Sequence, residues 1–121
     1  MKISEQISVF LKFIDSINAE YDRNFQIVGL KDKEGQDDFH NLELGELKYK
    51  ERAKLATKIQ NDRIERRKAK DACAVLEPLC EFLKDESHKR TLNKLRNTLG
   101  DIRKIEDRLE NRTYNKRAPD K

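Results

Sequence analysis

The chain has 121 residues, with 27 Lys and Arg against 23 Asp and Glu, for a net charge of +4 at pH 7. That length fits one domain, 1–121, whose own core would be thin, because 41% of the residues are charged and 36% are hydrophobic. No apolar run approaches the roughly 20 residues of a membrane-spanning helix and no signal peptide is visible, which predicts a cytosolic protein.

Ile3, Ile7, Phe10, Ile14, Ile17 and Tyr21 recur every three or four positions and predict a first helix over Ile3–Tyr21. Ser4 is its candidate N-cap, followed by Glu5 in the first turn. The same phase runs on through Phe25 and Val28. Gly29 and Gly35 then each cost an unbroken helix about 1 kcal/mol, so an irregularity is expected, with helix resuming over Asp32–Leu44. A short strand hairpin at Phe25–Leu30 is the alternative, because Phe25-Gln26-Ile27-Val28 fits either period.

Gly45 closes that segment and Glu46–Lys48 form a turn. A second helix begins near Tyr49 and runs toward Phe82. Leu55 and Ile59 open its apolar face, and Ala69, Ala72, Cys73, Leu76, Leu79, Cys80 and Leu83 continue it. Between them, in the stretch 61–71, Arg63, Arg66 and Lys70 stand where the apolar stripe should face a partner helix. Buried cations need a carboxylate or an anionic ligand. Asp62, Glu65 and Asp71 could supply the first on a solvated surface; the second would be a binding role. Pro78 removes a helical hydrogen bond and favours a kink.

Lys84–His88 is the next connection, with Asp85 or Ser87 able to cap a third helix. Leu92, Leu95, Leu99, Ile102 and Leu109 form a narrow stripe there, with Ile105 beside it. Gly100 weakens this helix but allows close approach by another backbone or a ligand. Residues 113–121 lose the stripe and read as a partly extended tail. The fold class is therefore all-α, with long helices forming an antiparallel hairpin and an N-terminal helical segment. Narrow stripes on long helices need a partner chain, so a homo-oligomer is expected.

Charge is divided unevenly. Residues 1–47 carry 5 basic and 10 acidic side chains, and residues 48–121 carry 22 and 13. The two parts could complement each other between subunits, or the basic part could meet an external anion. Arg108 and Arg112 are four apart, on one side of a helix, with Tyr114 close behind. Paired guanidinium groups near an aromatic ring suit an anion with a flat base, a nucleotide or nucleic acid. The alternative is a solvated basic face that complements the helix dipole.

Cys73 and Cys80 are too far along one helix to bond each other and read as reduced core residues. With only His40 and His88 besides, no zinc-ligand spacing appears. No glycine-rich phosphate loop or catalytic motif can be assembled, and the carboxylates lie among cations at ordinary helix-surface spacing. The residues favour binding over catalysis, without enzyme activity, cofactor or metal.

Several stretches resemble a small phage family, the first type of Thoeris anti-defence proteins. They are the His-Asn-Leu-Glu-Leu run ending at Leu44, YKERAKLATKIQNDRIERRKAKD, the proline-bearing Leu76–Leu83 segment and LGDIRKIEDRLENRTYNKR. The resemblance spans roughly positions 36–117. It implies a helical homo-oligomer, a dimer or higher and up to a hexamer, that encloses cyclic ADP-ribose isomers between protomers without cleaving them. The sequestered signal, made by bacterial TIR enzymes, then fails to switch on its effector, an immune evasion carried out in the cytoplasm of the infected host. On this resemblance Arg108 and Arg112 take the pyrophosphate, Phe82 stacks on the base, and Asn93 hydrogen-bonds the base or ribose. Arg103, Lys104 and Tyr114 are further ligand candidates. Some members hold cyclic oligonucleotides at a second site, to which charge assigns Arg63, Arg66 and Arg67. Residues alone leave two other functions open. One is a basic helical nucleic-acid-binding protein, which the interleaved acidic residues disfavour. The other is a coiled-coil scaffold, which leaves Arg108 and Arg112 without a purpose.

Overall fold

A computed structural model describes residues 1–112. It contains three helices: α1 over Ile3–Leu44, α2 over Tyr49–Lys84 and α3 over Glu86–Glu110. No strand occurs among the described residues. The alternative hairpin at Phe25–Leu30 is thus excluded, and α1 runs without a break through Gly29 and Gly35. Two glycines cost a helix about 2 kcal/mol together. The packing of α1 outweighs that cost, because side chains on both sides of the glycines are tied to α2.

The chain divides into two compact units. The first joins Met1–Ile14 to the segment from Asp85 onward, and the second is Asp15–Lys84. Helix α1 contributes to both.

The second unit is an antiparallel hairpin of α1 and α2. Tyr21 faces Cys73, Lys31 faces Asp62 and Glu65, Asp32 faces Arg66, and Asp38 faces Lys58. As one residue number rises the other falls, in one constant register. Its buried apolar side chains are Ile17, Leu55, Ala69, Cys80 and Leu83. Between Leu55 and Ala69 the seam is held by charge. Lys31 Nζ lies 3.2 Å from Glu34, 3.1 Å from Asp62 and 3.0 Å from Glu65. Lys58 Nζ bridges Asp38 at 2.9 Å and Asp62 at 2.8 Å, and Arg66 Nε donates to Asp32 at 2.5 Å. The Glu65 contact first, then Asp62 and Glu34, raise the Lys31 ammonium above its ordinary pKa. Asp62 and Asp38 do the same for Lys58, while Lys58 and Lys31 hold the Asp62 carboxyl below the usual range. Of the cations that interrupt the stripe of α2, Arg66 therefore finds its partner on α1, while Asp62 and Glu65, two of the carboxylates expected to pair with those cations, bind Lys31 and Lys58 instead, and the acidic and basic parts complement each other within one chain. Arg63 and Lys70, in contrast, are exposed.

Helix ends follow from local chemistry. Ser4 is not the N-cap of α1; it lies inside the first turn and is buried. The cap position is Lys2, whose backbone N–H donates to Glu5 Oε2 at 3.2 Å, the acidic half of a capping box. Lys48 and Glu51 repeat the device before α2, at 3.3 Å. Asp85 caps α3, accepting from the Ser87 backbone N–H at 2.8 Å. Gly45, just past α1, donates its N–H to the Asn41 carbonyl at 2.9 Å. A Cβ there would sit 2.6 Å from that carbonyl oxygen, so close approach, rather than a left-handed backbone, requires glycine. Pro78 lies within α2, which continues to Lys84. The proline and Ala74, whose carbonyl loses its helical donor, are both on the exposed side.

The first unit is slighter. Helix α3 pairs antiparallel with the N-terminal end of α1: Ser4 meets Glu106 and Lys2 meets Glu110. Its buried residues are Ser4, Leu11 and Leu99. Leu92, Leu95 and Ile102 are half-buried, as the stripe predicts. Leu109, at the end of that stripe, is exposed, and so are Ile105, Ile3 and Phe10. No helix among the described residues is long and apolar enough to cross a membrane.

Candidate anion-binding site

Four of the candidate ligand residues lie at the C-terminal end of α3. Arg103, Lys104, Arg108 and Arg112 are all exposed. No carboxylate stands three or four positions from Arg108, where a helix would bring it alongside. Neither Arg108 nor Arg112 is engaged in an ion pair with another described residue. The two arginines do not both belong to the helix, however. Helix α3 ends at Glu110, and Asn111 is its C-cap, donating its backbone N–H and its Nδ2 to the Asp107 carbonyl, each at 3.0 Å. Arg112 lies past that cap, so helical register does not hold it on the same side as Arg108.

The carboxylates of this segment are treated differently from its arginines. Glu106 Oε2 accepts the Ser4 backbone N–H at 3.3 Å. The Ser4 hydroxyl first, then this backbone contact, with Lys2 and Arg103 nearby, hold the Glu106 carboxyl below the usual range. Glu110 pairs with Lys2, whose pKa it raises. Glu106 and Glu110 are four apart and share the side of α3 that meets α1.

Asn93 is exposed on α3 and its Oδ1 accepts from Arg96 Nη1 at 2.7 Å. It stands fifteen residues before Arg108, about 22 Å of helix rise. Phe82 belongs to the other unit, in the last turn of α2, and is 51% exposed. Its neighbour Leu83 is buried. Tyr114 lies outside the described residues.

Arg63, Arg66 and Arg67 do not converge on one hollow. Arg63 and Arg66 border a groove of about 290 Å³ between α1 and α2, with Lys31, Asp32, Phe39 and Ile59. Arg67 borders a shallower hollow on α2 with Ile64 and Lys68, where Arg63 is again at the edge. Arg66 is already paired with Asp32. The groove holds as many carboxylates as cations, since Asp38 and Asp62 also line it. Among the described residues no three His, Cys, Asp or Glu side chains are placed to hold a metal ion.

Sequence reasoning missed Lys31, which binds three carboxylates, and Lys2, which binds Glu110. Lys31 had a signal: it takes the stripe position after Val28, where an apolar residue is due. Comparison of the chain with protein families, curated proteins and solved structures gives no match.

Proposed function

We propose that the protein is a phage anti-defence sponge that binds cyclic ADP-ribose isomers and withholds them, uncleaved, from the bacterial effector they activate. The observation that carries this reading is the pair Arg108 and Arg112, exposed at the end of α3 and engaged by no carboxylate among the described residues. The resemblance of the segments around them to Thoeris anti-defence proteins supports it. Arg108 and Arg112 take the pyrophosphate, with Arg103 and Lys104 beside them. Asn93 bonds the base or ribose and Phe82 stacks on the adenine.

One α3 cannot bring all of these to one small nucleotide, because Asn93 and Arg108 are about 22 Å apart along it. The reading therefore includes a homo-oligomer in which a second protomer completes the site. The exposed Ile3, Phe10, Ile105 and Leu109 of the first unit are apolar surface available for that assembly. Cyclic oligonucleotides are a second ligand class for the protein, with Arg63 and Arg67 as the arginines that carry no ion pair among the described residues.

Magnitudes agree with stoichiometric capture. Each charge-assisted contact contributes about 1.5–3 kcal/mol, and stacking on an aromatic ring about 1–3 kcal/mol. After immobilisation costs, a nanomolar affinity near about −12 kcal/mol is within reach. The test is to load the protein with cyclic ADP-ribose isomers, filter, heat the retained protein and chromatograph what is released. Intact nucleotide is the expected result, and Arg108→Ala should weaken retention about ten- to a hundredfold. A cleaved product would mean an enzyme. Nucleotide passing freely through the filter would reject the reading and leave the nucleic-acid and scaffold alternatives.

A further inference from the structure

We propose that the first turn of α1 partitions charge at the end of α3: Lys2 and the Ser4 amide compensate Glu110 and Glu106, leaving the neighbouring arginines free for an anion. This inference rests on the anion-binding role assigned to Arg108 and Arg112.

Sequence alone makes that end of α3 an unpromising anion site. From Asp101 to Arg112 there are four basic and four acidic side chains, a net charge of zero. The C-terminal pole of the helix adds a partial negative charge of about half a unit. An anion approaching such a segment gains little from its field.

Packing changes the balance. Two of the four carboxylates, Glu106 and Glu110, turn toward α1. Lys2 supplies a full positive charge to Glu110. The Ser4 N–H, one of the donors at the start of α1 that no helical carbonyl can satisfy, supplies a hydrogen bond and the positive pole of a helix to Glu106. Lys2 is itself fixed at the cap position by its N–H to Glu5. Compensated in this way, the segment presents Arg103, Lys104, Arg108 and Arg112 against Asp101 and Asp107, a surplus of two positive charges, which matches the two charges of a diesterified pyrophosphate such as that of cyclic ADP-ribose. The N-terminal residues thus act on the site through the carboxylates of α3, as positioning residues that touch no ligand.

A merely structural clamp and a charge partition differ in sign. If the Lys2–Glu110 pair served only to hold the helices together, Lys2→Met and Glu110→Gln would each break it and both would weaken binding. The partition predicts opposite effects. Lys2→Met leaves Glu110 uncompensated and weakens binding about two- to fivefold at low salt. Glu110→Gln removes the carboxylate and leaves affinity unchanged or raised. The double variant Lys2→Met/Glu110→Gln returns to wild type. High salt erases these differences. Lys12→Met, an exposed lysine farther along α1, serves as the control for net charge and should leave binding unchanged.

The probes are inorganic pyrophosphate and cyclic ADP-ribose, each titrated into the full chain by calorimetry, with helicity of every variant checked by circular dichroism. Pyrophosphate binding with the stated order of variants supports the partition. Loss of affinity in Glu110→Gln, or equal losses in Lys2→Met and Lys12→Met, overturns it and leaves the sponge reading standing. Pyrophosphate binding without cyclic ADP-ribose binding rejects the sponge and keeps the partition. Binding of neither probe to the wild-type chain overturns both.

Discussion

The hairpin of Asp15–Lys84 and the unit built from α3 with the start of α1 spend their charges in opposite ways. In the hairpin, Lys31, Lys58 and Arg66 are bound to carboxylates across or along the seam. Five apolar side chains are buried around that seam. In the other unit Leu11 and Leu99 are the buried apolar side chains among the described residues, and Ser4–Glu106 and Lys2–Glu110 link its helices. There Glu106 and Glu110 are compensated, while Arg108 and Arg112 enter no ion pair among the described residues. The contrast shows why counting basic residues misleads. Of the three cations of α2 that interrupt its stripe, Arg66 is consumed in holding the hairpin, while Arg63 and Lys70 are exposed, as are the arginines at the end of α3.

The largest expected effect breaks the hairpin side of this comparison. Ile17 is 1% exposed, the most enclosed large side chain of the described residues. Ile17→Ala should cost about 3 kcal/mol by lost transfer energy plus the cavity left behind. Leu99→Ala, in the slighter unit, should cost less, about 2 kcal/mol, because the loosely covered neighbours Leu95 and Ile102 can close the gap. Urea denaturation followed by circular dichroism compares the two. Should Leu99→Ala prove the costlier, and its cost depend on protein concentration, then a second chain covers α3 in solution.

Much of the architecture was legible because it rests on period. The apolar spacing of α1, α2 and α3 is helical throughout, and Gly45, Tyr49 and Asp85 mark boundaries by chemistry that acts locally. What escaped depends on contacts distant in sequence. Ser4 resembled an N-cap, yet Lys2 and Glu5 perform that role, and the Ser4 amide goes to Glu106, 102 residues away. Gly29 and Gly35 argued for a break, and the tie of Lys31 to Asp62 and Glu65 overrides it. At the site, Arg103, Lys104 and Arg108 are exposed. The spacing of Arg108 and Arg112 could not reveal that α3 stops between them, since the cap at Asn111 breaks no sequence rule.

Glycines sharpen the comparison at an intermediate scale. Gly45→Ala should destabilise the hairpin by about 1–2 kcal/mol, because the Asn41 side chain can swing away from the new methyl group but the Asn41 carbonyl oxygen cannot. Gly29→Ala and Gly35→Ala should stabilise it by about 1 kcal/mol each, since nothing lies within 4 Å of either new methyl group. Gly100→Ala on α3 meets equally open space and should gain about the same in the isolated chain. If another backbone or a ligand approaches α3 at Gly100, the substitution will instead weaken assembly or capture. Thermal melts of the four variants, with and without cyclic ADP-ribose, read the sign at each position.

The smallest effects are those of pH, and they act on both units through the same kinds of group. Asp62 in the hairpin and Glu106 in the α3 unit have carboxyls lowered by their partners. Such a group stabilises the fold fully above its ordinary carboxylate pKa, and the contribution is lost as pH falls through the lowered folded value. Lys31 and Lys58 are raised above their ordinary 10.5, so their contribution is complete below that value and is lost as pH rises through the folded one. Between these limits the groups predict a flat stability profile. Lys58 is exposed and Lys31, Asp62 and Glu106 are half-buried, so the acid decline should be gentle and should flatten further in high salt. Lys31→Met separates the units. Without Lys31 the acid decline of the hairpin, followed by the Tyr21 and Phe25 signals on α1, should shrink, while the decline at Glu106 persists. A profile unchanged by Lys31→Met would show that the carboxylates of the seam take their support from elsewhere.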